Sequence, residues 1–99
     1  MRLSFRDSSL ERLYYDSTFR HPRIGTDLTR AYRKKVGLLA AASTPAELRS
    51  HKALRLEKLV GDRAGLHSIR LNDQWRVLLE FTVDDGVHSV VIVRITDYH

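Results

Sequence analysis

The sequence predicts an α+β fold in which an N-terminal strand and helices pack on a C-terminal antiparallel β-sheet. Apolar residues recur at helical spacing before Gly65, and three runs rich in β-branched and aliphatic residues follow it. Short clusters of Asn, Asp and Gly separate these runs, as in hairpins. A chain of 99 residues with 42% hydrophobic content fits a single domain over residues 1–99, which can bury one core without disulfides or metal.

The first half of the chain contains the predicted strand and three predicted helices. Their expected bounds are Arg2–Arg6 for the strand, then Ser8–Tyr15, Thr26–Ala42 and Pro45 to about Lys52 for the helices. Asp7 or Ser8 can cap the first helix, and Thr26 or Asp27 the second. The run Thr44-Pro45-Ala46-Glu47 is a capping box with proline at the first helical position, so a third helix is expected to begin there.

The second half predicts a three-stranded antiparallel meander. Its expected strands are Leu66–Leu71, Trp75–Val83 and Val87–Thr96, which follow a turn over Gly61–Gly65. Asn72-Asp73-Gln74 and Asp84-Asp85-Gly86 have the composition of hairpin turns. Because Val90–Val93 is apolar on both faces, the last run is expected to be a central strand. Trp75 is expected to face the core.

The charge of the chain indicates an anionic partner. The formal net charge is +5 and the isoelectric point is about 10.0, and 13 of the 17 basic residues are arginine. Residues 1–63 hold 14 basic and 7 acidic groups, whereas residues 64–99 hold 3 and 5. Such a basic region is the electrostatic footprint of a protein that approaches phosphates or an acidic partner. The alternative is an ordinary solvated basic face that binds nothing specific.

Several kinds of chemistry are excluded or disfavoured by composition. The chain has no cysteine, which excludes disulfides, a thiolate nucleophile and a cysteine-based zinc site. His51, His67 and His88 show no metal-ligand spacing, so they are interpreted as surface or pairing residues, and no metal is expected. The N-terminus lacks an apolar run of signal-peptide length, and nothing approaches a membrane span. A cytoplasmic protein without membrane contact is expected.

The turns allow a strand register to be worked out. With three-residue loops at both hairpins, Leu71 faces Trp75 and Val83 faces Val87. Arg70 then lies opposite Arg76, and Arg76 opposite Arg94, in a row on one face of the sheet. Thr96 and Tyr98 continue along that face, because side chains alternate between the two faces of a strand.

A row of three arginines has two interpretations. Like charges side by side across a sheet are unfavourable, so the row indicates either interleaved carboxylates or a site that receives an anion. Glu80 and Asp73 could supply the carboxylates. A phosphate cradle is the functional interpretation, since the planar guanidinium can donate two hydrogen bonds to one phosphate. A two-residue loop at either turn would break the row, because a slip of one residue exchanges the faces of a strand.

Three motifs carry a resemblance to a known family. Gly61-Asp62-Arg63-Ala64-Gly65, the run from Ser68 to Arg76 that reads SIRLNDQWR, and the terminal Asp97-Tyr98-His99 resemble the HigB toxins of the RelE superfamily. The resemblance implies the RelE-like fold and a ribosome-dependent endoribonuclease that cuts messenger RNA without metal or organic cofactor. It also implies a HigA antitoxin, usually a helix-turn-helix protein, with operator DNA bound only through the toxin–antitoxin complex.

The same resemblance implies site residues. Arg76 matches the arginine that contacts the scissile phosphate in this superfamily, and Asp97, Tyr98 and His99 match terminal residues tied to activity in HigB proteins. One segment departs from the pattern, because Glu57 and Val60 stand where some HigB toxins carry a histidine and a lysine linked to cleavage. This departure predicts slow cleavage, or greater dependence on Arg76 and His99.

The terminal residues can be given roles in metal-free RNA cleavage. Histidine is the natural acid or base at neutral pH, and the α-carboxylate on the same Cα would favour the imidazolium form of His99 and hence the acid role. Extending the chain beyond His99 is therefore expected to impair cleavage. Tyr98 is either a base or a stacking group, and Asp97 could hold a histidine or an arginine in place.

Further basic residues are expected to bind RNA or the ribosome. They are Arg70 and Arg94 in the arginine row, together with Lys34, Lys35, Lys52, Arg55 and Arg63. Two other functions stay open from the residues alone. One is a non-catalytic module that binds nucleic acid or the ribosome through the same basic face. The other is an interaction protein whose basic surface serves only an acidic partner.

Overall fold

The computed structural model describes residues 1–97, which form one five-stranded sheet and three helices. The strands are β1 (Arg2–Phe5), β2 (Glu57–Lys58), β3 (His67–Arg70), β4 (Trp75–Asp84) and β5 (Val87–Asp97). The helices are α1 (Ser8–Tyr15), α2 (Thr26–Ala41) and α3 (Pro45–Leu48). Short 3-10 turns cover Lys52–Leu54 and Gly61–Arg63. The predicted α+β class is confirmed.

The sheet has the strand order β1-β5-β4-β3-β2. The predicted meander is confirmed for β3, β4 and β5, and β5 is central as expected. The N-terminal strand β1 lies at one edge of the sheet and runs parallel to β5, so the sheet is mixed. The second edge strand, β2, was not predicted, since Glu57 and Lys58 are both exposed and two residues show no alternation.

The helix caps differ in part from expectation. Asp7 caps α1 as predicted, accepting a 2.8 Å hydrogen bond from the backbone N–H of Ser9. The predicted caps of α2 are wrong, because its N-cap is Gly25, which offers no side chain.

The third helix is shorter than predicted and ends at Leu48 rather than near Lys52. Its capping box is incomplete. The Glu47 carboxylate accepts a 3.0 Å hydrogen bond from the N–H of Ser43, and the Thr44 side chain makes no capping bond.

The core lies between the helices and one face of the sheet. Side chains that are fully buried there include Leu13, Tyr32, Val36 and Leu39 from the helices and Val77, Leu79, Val90 and Ile92 from the sheet. Burying one such aliphatic side chain contributes about 1.5–3 kcal/mol. The Tyr32 hydroxyl donates a 2.9 Å hydrogen bond to the Leu10 carbonyl and so ties α2 to α1. Trp75 packs against this cluster, as predicted. Within residues 1–97, no helix is both long and apolar enough to span a membrane.

The two hairpins set the register of the sheet. The first has the predicted three-residue loop, and the Asn72 side chain accepts hydrogen bonds from the N–H groups of Gln74 and Trp75 at 2.9 and 2.8 Å. The second has a two-residue loop, Asp85-Gly86, with φ values of 49° and 76°. These left-handed conformations match the twist of a tight hairpin, so the predicted three-residue loop is wrong.

A β-bulge changes the register again further along β4 and β5. Leu79 pairs with Ile92 but Leu78 pairs with Arg94, so β5 has one extra residue there. Arg76 therefore pairs with Thr96 instead of Arg94. Together the two departures shift the register by two residues. Arg94 is therefore on the predicted face but lies opposite Leu78, two residues along β4 from Arg76.

Candidate functional site

Arg76 is the buried charge of the sheet. It lies on β4 facing away from the helices, and only 7% of its surface is exposed. Its Nη1 donates hydrogen bonds to the Ser68 hydroxyl at 3.1 Å and to the Arg55 carbonyl at 3.4 Å. Its Nη2 lies 3.4 Å from a carboxylate oxygen of Glu57. A buried guanidinium held from several sides presents its remaining surface in a fixed direction.

The 3-10 turn before β2 and β2 itself supply one of these contacts each, from Arg55 and Glu57. Arg55 closes the 3-10 turn Lys52–Leu54 and adopts a left-handed backbone conformation with φ of 46°. Non-glycine residues seldom adopt this conformation, and such positions concentrate at functional sites. The turn leads into Glu57, whose pairing with Ser68 on the adjacent strand β3 fixes its position beside Arg76.

An open depression of about 310 Å³ surrounds the Arg76 guanidinium. Its lining consists of three arginines, two carboxylates and one amide: Arg55, Arg70, Arg76, Glu57, Asp73 and Asn72. The described part of the depression is therefore rich in guanidinium groups, each of which can donate two hydrogen bonds to one phosphate, and it also contains two carboxylates. Among residues 1–97, no group of three His, Cys, Asp or Glu side chains is placed to hold a metal ion.

Arg70 occupies the predicted place opposite Arg76. Its Nε donates a 3.1 Å hydrogen bond to the Asn72 carbonyl, and its Nη2 pairs with Asp73. The side chain of Asp73 is 94% exposed, and an exposed ion pair contributes little to stability. Arg70 can therefore exchange this carboxylate for an incoming phosphate at small cost.

The interleaved carboxylates are only partly those expected. Asp73 does pair with Arg70, but Glu80 reaches the other way and pairs with Arg6 at 3.0 Å. Glu57 takes the place expected for Glu80. Glu57 is also one of the two residues at which the chain departs from the family pattern, and this departure is the feature of the sequence that points to its place in the site.

Of the remaining predicted binding residues, Arg55 lines this depression and the others lie elsewhere. Lys52 and Arg55 line a neighbouring depression of about 400 Å³ that also includes Arg49 and His51. Arg63 lies exposed in the turn Gly61–Arg63, and Arg94 is exposed opposite Leu78. Neither lines the depression around Arg76.

The two lysines of α2 differ in their surroundings. Lys34 is exposed, whereas the Lys35 ammonium donates hydrogen bonds to the carbonyls of Arg70 at 2.7 Å and Ala53 at 3.3 Å. Burial, and then the charges of Arg70 and Lys34, lower the pKa of Lys35. Lys35 therefore links the backbone of the 3-10 turn before Arg55 to the backbone of β3 at Arg70.

The predicted terminal residues are only partly described. Asp97 pairs with Trp75 in the sheet, and its carboxylate accepts a 3.1 Å hydrogen bond from the Gln74 side chain. Tyr98 and His99 lie outside the described residues. His67, expected at the surface or in a pair, instead packs edge-on against Phe81 with 4.9 Å between ring centres. Burial, and then the charges of nearby basic residues, lower its pKa.

The fold is that of small toxins of bacterial toxin–antitoxin systems. The YoeB/ParE toxin from Agrobacterium tumefaciens superposes over 100% of both chains with a TM-score of 0.59 and 16% identity. The YoeB–YefM complex from Staphylococcus aureus matches with a TM-score of 0.58 and 21% identity over 100% of this chain and 97% of that one. At such identities these likenesses establish the fold alone.

Sequence comparison defines the family. Residues 3–99 match the model of the HigB-like toxins, the RelE-like toxins of type II toxin–antitoxin system HigB. Toxin HigB-1 of Vibrio cholerae is 37% identical over 87 residues, which is 88% of each chain. An uncharacterized protein of Haemophilus influenzae is 32% identical over 81% of this chain and 78% of its own length. The chain belongs to the HigB-like toxins of the RelE superfamily, as its motifs predicted.

Proposed function

We propose that this toxin is a ribosome-dependent endoribonuclease that cuts messenger RNA in the cytoplasm and needs no metal. The observation that carries the proposal is the Arg76 guanidinium, which is nearly buried, fixed by Ser68 and Glu57, and located in an open depression. Fixed positive charge is suited to a phosphate that gains negative charge in the transition state. Arg70, on the paired position of β3, adds a second guanidinium to the same depression.

The proposed reaction is attack of a ribose 2′-oxygen on the adjacent phosphorus. The bond from phosphorus to the 5′-oxygen breaks, which leaves a 2′,3′-cyclic phosphate on one fragment and a 5′-hydroxyl on the other. Arg76 and Arg70 would stabilise the charge on the non-bridging oxygens. One proton leaves the 2′-hydroxyl and one arrives at the departing 5′-oxygen, so the step needs a base and an acid.

Glu57 is our candidate for the base and His99 for the acid. Glu57 is supported by position, because its carboxylate is about half exposed in the depression and lies 3.4 Å from the Arg76 Nη2. His99 is supported by the family resemblance and by the ordinary pKa of histidine near neutrality. We assign Tyr98 to stacking or orientation and Asp97 to holding a partner side chain in place.

The ribosome supplies substrate positioning in this proposal. A toxin of 99 residues with an open depression has little surface for selecting RNA, whereas a docked transcript is already oriented. Lys34, Lys52, Arg63 and Arg94 are exposed and suited to phosphate contacts with ribosomal RNA. Arg55 lines both depressions and could contact either RNA.

An antitoxin is the proposed protein partner. Its support is family membership, together with the structural neighbour solved as a YoeB–YefM toxin–antitoxin complex. We propose a HigA-like helix-turn-helix protein that neutralises the toxin. Operator DNA would then be bound through the complex and not by the toxin alone.

The proposal is tested by mapping the 5′ ends of cellular transcripts after brief induction. Wild-type toxin is expected to give new ends inside translated regions, and Arg76→Ala is expected to abolish them. Arg2→Ala is the matched control, because Arg2 is an exposed arginine on the edge strand β1, outside the depression. No new ends with a folded wild-type protein would contradict the nuclease and favour a non-catalytic binding module.

A further inference from the structure

The net charge of the chain is concentrated in one segment, and no residue of this segment lines the depression at Arg76. Residues 17–35 contain six arginines and lysines and a single acidic residue, Asp27. The other 80 residues contain equal numbers of basic and acidic groups, eleven of each. The segment covers the connection between α1 and α2 and the first half of α2. A charge excess confined to one segment marks a specific surface and not a generally basic protein.

This segment forms an arginine-lined depression of about 650 Å³, twice the volume of the one at Arg76. Four arginines line it, namely Arg20, Arg23, Arg30 and Arg33, and no carboxylate does. Arg20 and Arg23 are exposed, and among residues 1–97 their guanidinium groups have no hydrogen-bond or ion-pair partner. The depression thus offers the two unneutralised guanidinium groups of Arg20 and Arg23, whereas Arg30 pairs with Asp27 at 3.6 Å.

The backbone around the depression is held in place by specific contacts. Arg33 donates hydrogen bonds from Nε to the Leu13 carbonyl at 2.7 Å and from Nη2 to the Asp16 carbonyl at 3.0 Å. The Nδ1 of His21 accepts a 3.1 Å hydrogen bond from the N–H of Arg23. These contacts fix the connection before any ligand binds, which reduces the entropy lost on binding.

We infer that the arginine-lined depression between α1 and α2 binds the phosphate backbone of a folded RNA. Phosphates match its chemistry, since phosphate recognition needs guanidinium donors and no apolar anchor. A protein partner would need such an anchor to contribute much affinity. Phe19 and Ile24 line the depression, but both are partly buried and pack against the core, and Pro22 is the third apolar residue of the lining. The large apolar side chains exposed in the described part of the chain are Tyr15, Val60, Val83 and Val87, and none of them lines the depression.

If the proposed function is correct, the RNA is ribosomal RNA. Only this identification of the RNA rests on the proposed function. α2 connects the two regions. Arg30 precedes Lys35 by five residues, about 8 Å along the helix axis, and Lys35 contacts the backbone of Arg70 at the candidate site. RNA held at the depression would therefore orient the toxin on the ribosome through one rigid helix.

The test measures binding of the toxin to intact bacterial ribosomes in an Arg76→Ala background, so that cleavage does not affect the readout. Arg20→Ala/Arg23→Ala is compared with Arg2→Ala/Arg6→Ala, which removes the same charge from exposed positions that line none of the three depressions. Co-sedimentation is measured from about 50 to 200 mM KCl, where phosphate contacts are strongly salt-dependent. Thermal unfolding checks that both variants are folded.

We expect the Arg20/Arg23 variant to bind at least about tenfold more weakly at low salt, with the slope of log affinity against log salt reduced by about 1.4–1.8. The Arg2/Arg6 variant should bind within about threefold of the background. Equal binding by both variants, or no binding by the background, would overturn the inference. If the Arg20/Arg23 variant keeps its ribosome binding but co-purifies with less antitoxin, the depression binds an acidic protein segment and the assignment to RNA is wrong.

This outcome is independent of the nuclease proposal. If toxin with Arg76 intact cuts transcripts but the Arg20/Arg23 variant binds ribosomes as well as its background does, only the role of the depression is refuted. A toxin that binds through these residues but leaves transcripts intact would refute only the cleavage.

Discussion

Replacing Glu57 with glutamine separates its contact with Arg76 from its proposed role as the base. The Glu57 carboxylate accepts from Arg76 at 3.4 Å, and a glutamine carbonyl in the same place can accept the same hydrogen bond. The carboxylate is about half exposed at Glu57 but the Arg76 side chain is only 8% exposed, so removing the negative charge should lower the unfolding free energy by about 1–3 kcal/mol without unfolding the protein. What glutamine cannot do is take the proton from a 2′-hydroxyl.

The expected loss of activity follows from that difference. A positioned proton-transfer group contributes about 10²–10⁴-fold. This corresponds to about 2.7–5.5 kcal/mol in the activation barrier. If Glu57 only holds Arg76, glutamine should reduce the rate by no more than about fivefold, the equivalent of 1 kcal/mol.

The assay is single-turnover cleavage of a transcript on programmed ribosomes, with toxin in excess so that binding does not limit the rate. Glu57→His is the companion variant, because it restores a proton acceptor and is the residue type that the family resemblance places there. We expect glutamine to lose at least about a hundredfold and histidine to recover part of it. A glutamine variant within about fivefold of wild type would refute Glu57 as the base and leave it as a positioning residue.

Three further predictions concern the scaffold. Tyr32→Phe should lower the unfolding free energy by about 1–2 kcal/mol in urea titration, because the hydrogen bond to the Leu10 carbonyl is buried; an unchanged midpoint would contradict this. Lys35→Met should cost about 1–3 kcal/mol, since charged donation to the Arg70 carbonyl is lost, and chemical denaturation with no loss of stability would show that the lysine contributes nothing. The pKa of His67 is lowered by burial, so the unfolded state binds more protons and stability falls as pH drops below the ordinary value of 6.5. Thermal melts from pH 7 to 5 should therefore fall more steeply for wild type than for His67→Asn, and parallel melts would refute the assignment.

The elements with strong local signals could be predicted from the sequence. Apolar periodicity located α1 and α2, and the loop Asn72-Asp73-Gln74 gave the correct register between Arg70 and Arg76. The two-residue strand β2 has too few residues to show a pattern.

The second hairpin and the bulge at Leu78 could not be predicted together. Asp84-Asp85-Gly86 is compatible with a two- or a three-residue loop, and the choice depends on pairing along the whole of β4 and β5. The contacts of Arg76 required tertiary information for the same reason. Ser68 and Glu57 come from two other strands. The left-handed conformation at Arg55 could not be predicted either, because the residue there is neither glycine nor asparagine.

The most direct test of the central claim is the reaction of purified toxin with a transcript on programmed ribosomes, comparing wild type, Arg76→Ala and Arg76→Lys. The account predicts a new fragment ending in a 2′,3′-cyclic phosphate with wild type and its loss with alanine. Lysine should recover only a small part, because it keeps the charge but lacks the planar fork. Equal cleavage by wild type and Arg76→Ala, with both proteins folded, would contradict the account.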